Sequence, residues 1–152
     1  MYPSMNKILT TGMVACCVFL ATDVQAQTKK TPAKQPPVTS ALQQTMLRGK
    51  FLYEKHCMVC HQKDGGGVMN LNPPLIRTAY VLGDKTRLIN VLLKGLNEPL
   101  EIDGDVYVNP MPAQNFLTDG EVADVLSYVR HHFQNEASVI TASEVKRVRA
   151  QK

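Results

Sequence analysis

The stretch Cys57-Met58-Val59-Cys60-His61 carries the most specific chemistry in this chain of 152 residues. Residues three and four positions apart share one face of a helical turn, so both thiols and the imidazole point the same way. Two thiols can then add to the vinyl groups of one haem while the adjacent imidazole reaches its iron, and C-x-x-C-H is for this reason typical of haem attachment. We predict one haem c, bound covalently through Cys57 and Cys60, with His61 as an iron ligand.

Two other interpretations of the cysteine pair are weaker. A thioredoxin-like dithiol needs a βαβ unit, for which the sequence carries no signal. A structural zinc site needs four ligands, and His56, Cys57, Cys60 and His61 are too close together to close a tetrahedron easily.

The first 26 residues have the pattern of a secretory signal peptide. Lys7 supplies the positive charge, residues 8–22 are mainly apolar, and small residues precede a cleavage position after Ala26. The apolar run of 15 residues is shorter than the roughly 20 that span a bilayer as a helix. We therefore expect cleavage and a periplasmic location, with a retained membrane anchor or a lipoprotein modified at Cys16 as the alternatives.

The exported part is predicted to hold one domain. Residues 27–40 are rich in Lys and Pro and almost free of apolar side chains, which predicts a flexible linker before a domain at residues 41–152. Only two cysteines remain after cleavage, which excludes a disulfide scaffold. The formal charge of +4 comes from scattered basic residues without interleaved aromatics, so nucleic-acid binding is not expected.

The domain is predicted to be all-α with one small β-hairpin. Leu42, Met46, Gly49 and Tyr53 recur at helical spacing, which predicts a first helix running into Cys57.

Capping signals mark the other predicted helices. One helix lies between Asp84 and Gly95, where an N-cap and a glycine C-cap belong. The capping box Thr118–Glu121 begins a helix of about 16 residues, and a second box at Thr141 begins a short final helix. The hairpin is predicted from residues 100–102 and 106–108, which alternate around a two-residue turn.

The second iron ligand must come from far along the chain. Its candidates are Met46, Met58, Met69, Met111, His56, His131 and His132. Met111 comes 50 residues after His61 between two prolines, so the chain has room to pass around the porphyrin and return. Met69 comes only eight residues after His61 and would need a tight return. We predict His61 and Met111 as the two metal ligands.

These motifs resemble the class I cytochrome c family over about residues 42–133. The matching residues are Gly49, Tyr53, Cys57, Cys60, His61, Pro73-Pro74-Leu75, Met111-Pro112 and Leu126-Ser127-Tyr128-Val129. The resemblance implies three main helices around the haem, with Gly49 at a close crossing of the first and last helices near Tyr128. It also implies that the carbonyl of Pro74 or Pro73 accepts a hydrogen bond from His61.

The hairpin that leads into Met111 narrows the resemblance to one subgroup of the family. It is similar to small cytochromes found beside periplasmic dehydrogenases and oxidases, and to cytochrome modules of alcohol dehydrogenases. Arg77 and Tyr80 follow the Pro-Pro-Leu segment and are candidates for binding haem propionates, although a plain surface arginine is the simpler interpretation of Arg77.

Two protein ligands on the iron leave no open position for a substrate, and Met/His ligation raises the reduction potential. We therefore expect a monomeric electron carrier with no catalytic residues. Its partners would be a dehydrogenase, an oxidase or a reductase, and peripheral membrane association is a further expectation. The alternative is a ligand-binding or peroxidase-like haem protein in which Met111 is displaceable.

The charge pattern suggests how such a carrier would meet its partner. Seven acidic residues and no basic residue lie between Glu98 and Asp124. This stretch is either an ordinary solvated face or a surface that steers docking to a basic partner.

Overall fold

The computed structural model describes residues 40–151, so the predicted signal peptide and residues 27–39 of the predicted linker lie outside the described residues. The described part contains six helices and one two-stranded antiparallel sheet. The elements are α1 (Ala41–His56), α2 (Met58–His61), α3 (Ala79–Leu82), α4 (Lys85–Lys94), β1 (Leu100–Ile102), β2 (Asp105–Tyr107), α5 (Asp119–His131) and α6 (Ala142–Arg149). Within residues 40–151, no helix is both long enough and apolar enough to cross a bilayer.

The helix ends follow the capping signals in the sequence. Asp84 accepts a hydrogen bond from the backbone N–H of Arg87 at the start of α4, and Gly95 ends that helix with φ at 74°. Capping boxes begin α5 at Thr118 and α6 at Thr141, as predicted. These local contacts satisfy backbone groups that the helix itself leaves unpaired.

Three details differ from the sequence predictions. Helix α5 has 13 residues, because the backbone becomes extended at His132 and left-handed at Phe133, with φ at 54°. Strand β2 begins one residue earlier than predicted, because the turn Asp103-Gly104 brings Asp105 opposite Ile102. Helix α3, which Thr78 caps, was not predicted at all, and its four residues are too few to give a periodic signal.

Helix α1 crosses α5 at Gly49, as the family resemblance implied. A Cβ atom at Gly49 would lie 2.6 Å from the Cβ of Tyr128 and would also overlap the carbonyl oxygen of Asp124. One turn further along, Tyr53 packs against Tyr128 and Phe133, with ring centroids 5.7 and 5.0 Å away. Because Gly49 has no side chain, the two helices can approach closely at this position. The aromatic rings of Tyr53, Tyr128 and Phe133 fill the space beside the crossing.

We predict that Gly49→Ala destabilises the holoprotein by about 1–3 kcal/mol, because the added methyl group must push the two helices apart. The measurement is chemical denaturation followed by far-UV circular dichroism. Gly120→Ala is the matched control, since Gly120 also lies in a helix but a Cβ there meets nothing within 4 Å. Equal stability of the two variants would contradict a close helix crossing.

Candidate haem site

The pentapeptide 57–61 forms the helical turn that its spacing predicts. The carbonyl of Cys57 accepts hydrogen bonds from the backbone N–H groups of Cys60 at 3.1 Å and of His61 at 2.9 Å. The N–H of Cys57 in turn donates to Tyr53 at the end of α1, so the turn continues the first helix. Both cysteines are half-buried free thiols. The structure thus presents two thiols and one imidazole on a single rigid turn.

His61 is held in one orientation by the backbone of Pro73. Its Nδ1 lies 2.9 Å from the Pro73 carbonyl oxygen, and because a carbonyl only accepts, Nδ1 carries the proton and Nε2 keeps a free lone pair. Burial lowers the pKa of His61, and the bond to Pro73 offsets this only in part. A neutral imidazole with Nε2 free is the form that binds a metal.

A large apolar cavity lies beside this turn. Its empty volume is about 860 Å³, including the space at its open mouth, and both His61 and Met111 line it. Aliphatic side chains make up much of the wall, with contributions from Leu88, Leu92, Leu96, Leu126 and Val129. A concave site lined mainly by apolar side chains, with a few polar groups, is typical of cofactor sites.

The backbone N–H and the backbone carbonyl of Met111 are both hydrogen-bonded. Its N–H donates to Leu96 at 2.8 Å and its carbonyl accepts from Leu96 at 2.9 Å, which forms an isolated antiparallel bridge. The neighbouring Gly95 makes this approach feasible, because a Cβ there would overlap the Met111 carbonyl oxygen. The C-terminal end of α4 therefore fixes the loop that carries Met111.

The other candidate iron ligands do not line the cavity. Met69 is 66% exposed, and Met46 and Met58 are partly buried against the hydrophobic core. His56 lies against the Phe116 ring with centroids 5.3 Å apart. His131 and His132 are exposed at the end of α5.

The two cysteines differ in their surroundings. Cys57 lines the cavity, whereas Cys60 is not among the cavity-lining residues and follows one turn later on α2. Burial, with a smaller effect of Cys60, raises the pKa of the Cys57 thiol to about 11. A thiol with this pKa stays protonated at neutral pH, which is opposite to the activated thiolate of a dithiol oxidoreductase.

The two candidate propionate ligands are placed differently. Tyr80 lines the cavity, and the Arg87 guanidinium lies 4.3 Å from its ring centroid. Arg77 is exposed, does not line the cavity and donates from Nε to the Gln134 carbonyl oxygen at 3.3 Å. Tyr80 therefore stays a candidate for binding a haem propionate. Arg77 instead contacts the segment that follows α5.

Asn135 is a site residue that the sequence did not reveal. Its side chain is 3% exposed and donates to the carbonyl oxygens of Leu75 at 2.9 Å and Val129 at 2.8 Å. Its Oδ1 accepts from the backbone N–H of Arg77 at 2.8 Å. Asn135 therefore ties the segment just after Pro73 to the end of α5. It lies in no periodic pattern, so the sequence carries no signal for this role.

The residues present fit a haem. The cavity is lined mainly by apolar side chains, and His61 and Met111, whose imidazole and thioether are a known ligand pair for haem iron, both line it. A thiol that can form a thioether lines the same cavity. Across residues 40–151, no cluster of three or more His, Cys, Asp or Glu side chains is arranged to hold a metal ion by itself.

The cytochrome c family model matches residues 46–133, which contain the crossing, the attachment turn and the Met111 loop. The chain belongs to the cytochrome c family. It has the mostly helical class I fold with a small sheet, and it carries one covalently attached haem c, as the sequence predicted.

Individual relatives agree with this assignment. The cytochrome c-552 of Thermus thermophilus is 36% identical over 105 residues, which cover 63% of this chain and 80% of that protein. The cytochrome c subunit of a quinone alcohol dehydrogenase from Gluconobacter oxydans is 33% identical over 103 residues, or 66% of this chain. The fructose dehydrogenase cytochrome subunit of Gluconobacter japonicus is 31% identical over 112 residues. The match spans only 22% of either dehydrogenase subunit.

We predict that Asn135→Ala destabilises the holocytochrome by about 2 kcal/mol, because it removes hydrogen bonds to the buried carbonyl of Val129 and to partly buried backbone groups of Leu75 and Arg77. Thermal unfolding followed by haem absorbance measures the loss. Asn97→Ala is the control, since Asn97 is exposed and its truncation strands no buried group. If both variants melt like the parent protein, Asn135 does not secure this segment.

Proposed function

We propose that this cytochrome carries one electron at a time between redox proteins, with its haem iron bound by His61 and Met111 and its haem joined to Cys57 and Cys60. The observation that carries the proposal is that His61 and Met111 line the same apolar cavity. Each is held there by backbone hydrogen bonds, His61 to Pro73 and Met111 to Leu96. The protein thus supplies two preorganised donors for one metal.

When bound, the haem supplies a one-electron ferric/ferrous couple. His61 and Met111 would both bind the iron, which would leave no position for a substrate, and the apolar side chains around the cavity would exclude water. A thioether ligand and a dry, low-dielectric site both favour the ferrous state, which raises the reduction potential. Because both donors are already in place, a change of charge requires little rearrangement.

The proposal extends to partners and location. The dehydrogenase cytochrome subunits among the relatives support an exchange of electrons with a dehydrogenase, and an oxidase or a reductase would serve as the second partner. We further propose that the protein acts as a monomer in the periplasm, with peripheral association at the membrane. The signal-like residues 1–26 support the export part of this proposal.

We predict that Met111→Ala opens one side of the iron. The reduced variant should bind CO rapidly, lose the methionine–iron charge-transfer band near the red edge of the visible spectrum, and have a lower reduction potential. The measurements are CO-binding kinetics, absorption spectra and a redox titration with soluble mediators.

Met69→Ala is the matched control for that experiment, because Met69 is exposed and does not line the cavity. It should leave the spectrum, the potential and the CO reactivity unchanged. Rapid CO binding by the native protein would instead favour the ligand-binding or peroxidase-like alternative. A Met111→Ala variant with the native spectrum would rule out Met111 as the ligand.

We predict that Cys57→Ser and Cys60→Ser each leave a single thioether and lower the yield of haem-containing protein. Intact-mass spectrometry of the denatured protein reports how much haem remains covalently attached. Val59→Ser is the control, since Val59 lies between the two cysteines with its side chain 82% exposed. A full haem yield in either cysteine variant would contradict attachment through that residue.

The same mass spectrum tests the export proposal. A chain that begins at Gln27 and carries haem supports cleavage after Ala26 in the compartment where haem is attached. A chain that still begins at Met1 contradicts cleavage, and a lipid-modified Cys16 at the new N-terminus would identify the lipoprotein form.

A further inference from the structure

The outer face of the β-hairpin is an unpartnered sheet face beside the haem cavity. Leu100, Ile102 and Tyr107 line the cavity. The alternation of side chains along each strand leaves Glu101 and Val106, which pair across β1 and β2, exposed on the other side. The hairpin therefore separates the cavity from solvent by a single layer of β-strands. Because electron tunnelling weakens steeply with distance, a redox partner seated on this layer has a short route to the cavity.

Exposed apolar side chains extend this surface onto the preceding loop. The backbone N–H of Val108 donates to Asn70 at 3.3 Å and that of Asn109 donates to Leu71 at 3.1 Å, so the loop lies alongside the segment after β2. We call this combined surface the hairpin face, and its apolar members are Met69, Leu71, Val106 and Val108, between 43% and 66% exposed. An apolar centre of this kind is typical of the core of a docking interface.

The acidic stretch identified in the sequence divides into two groups. Asp119 pairs with Arg149, Asp124 pairs with Arg48, and Glu121 accepts hydrogen bonds from Thr118 at the start of α5. These three carboxylates are engaged in holding the fold. The other four are exposed and form no ion pair within residues 40–151, but they face different ways. Glu98 lines the cavity and Asp105 pairs with the cavity-lining Ile102, whereas Glu101 lies on the outer face and Asp103 lies in the turn.

We propose that the hairpin face docks against the basic face of a redox protein partner, with its apolar side chains at the centre and the exposed carboxylates of Glu101 and Asp103 at the rim. The inference rests on the proposed electron-carrier function. A basic partner follows from charge complementarity, because Glu101 and Asp103 are exposed and form no ion pair within residues 40–151, so an acidic partner would be repelled. The carboxylates steer the encounter, and the apolar centre holds the docked complex.

The test uses the holocytochrome and a gold electrode coated with an amine-terminated monolayer, which stands in for a basic protein face. The hairpin variant Glu101→Gln/Asp103→Asn removes two negative charges from the rim. The control variant Glu54→Gln/Glu136→Gln removes the same formal charge from exposed positions outside the hairpin, including Glu54 of an exposed pair with Lys50, a kind of pair that contributes little. At low ionic strength, we expect the interfacial electron-transfer rate to fall about tenfold in the hairpin variant and to stay within twofold of the parent rate in the control. Salt should abolish the difference.

Each outcome bears on one of the two proposals. Equal losses in both variants would mean that net charge alone controls docking, and would overturn the hairpin face. Faster transfer at a carboxylate-terminated monolayer would also overturn it, in favour of the basic residues near Cys57, which are Arg48, Lys50, Lys55 and Lys63. A redox titration in solution is the separate check on the electron-carrier function, because it needs no docking. Absence of a reversible one-electron couple there would reject that function itself.

Discussion

The hydrogen bond between His61 and the Pro73 carbonyl oxygen is the constraint on which the rest of the site depends. The two groups are 12 residues apart, so the intervening loop must fold back and stay there. Gly67 permits the return with φ at 68°, where a Cβ would lie 2.7 Å from that oxygen. The N–H of Leu75 then donates to Gly65 at 2.7 Å, and Asn135 holds the following residues from the opposite side.

The second donor is fixed by an independent part of the chain. Met111 depends on the end of α4 through Leu96 and Gly95, and shares no hydrogen bond with the turn that carries His61. Helix α1, which leads into that turn, packs against α5, and helix α4 packs against α6 and, to a lesser extent, α5. The distance between His61 and Met111 therefore depends on how these helices pack. A change in the close crossing at Gly49 is expected to shift His61 relative to Met111.

Much of this arrangement could be predicted from the sequence, because it is encoded locally. The spacing of Cys57, Cys60 and His61 predicts the turn, and the caps at Asp84 and Thr118 predict where two helices begin. The choice of Met111 rested on its distance along the chain and its flanking prolines. Its place on the cavity wall is consistent with that choice, and the iron ligands themselves stay a prediction.

What the sequence did not predict depends on contacts between distant segments. Asn135 acts through three hydrogen bonds to residues of two other segments, and a single asparagine after a helix looks like an ordinary loop residue. The acidic stretch looked uniform because sequence distance does not show that Arg48 and Arg149 approach two of its carboxylates. Helix α3 is too short for periodicity, and the left-handed turn at Phe133 ended α5 earlier than its apolar pattern indicated.

The large cavity has a consequence for how this protein persists in a cell. A cavity lined by leucines, valines and other apolar side chains is unfavourable in contact with water, so the bound haem contributes to the stability of the native fold. For a cofactor that binds reversibly, the stabilisation falls as its free concentration falls. A covalently joined haem stays at a fixed effective concentration inside its own chain. Once matured, the molecule therefore keeps its stability under dilution and haem starvation, and supply of the cofactor limits how many molecules are made rather than how long each one lasts.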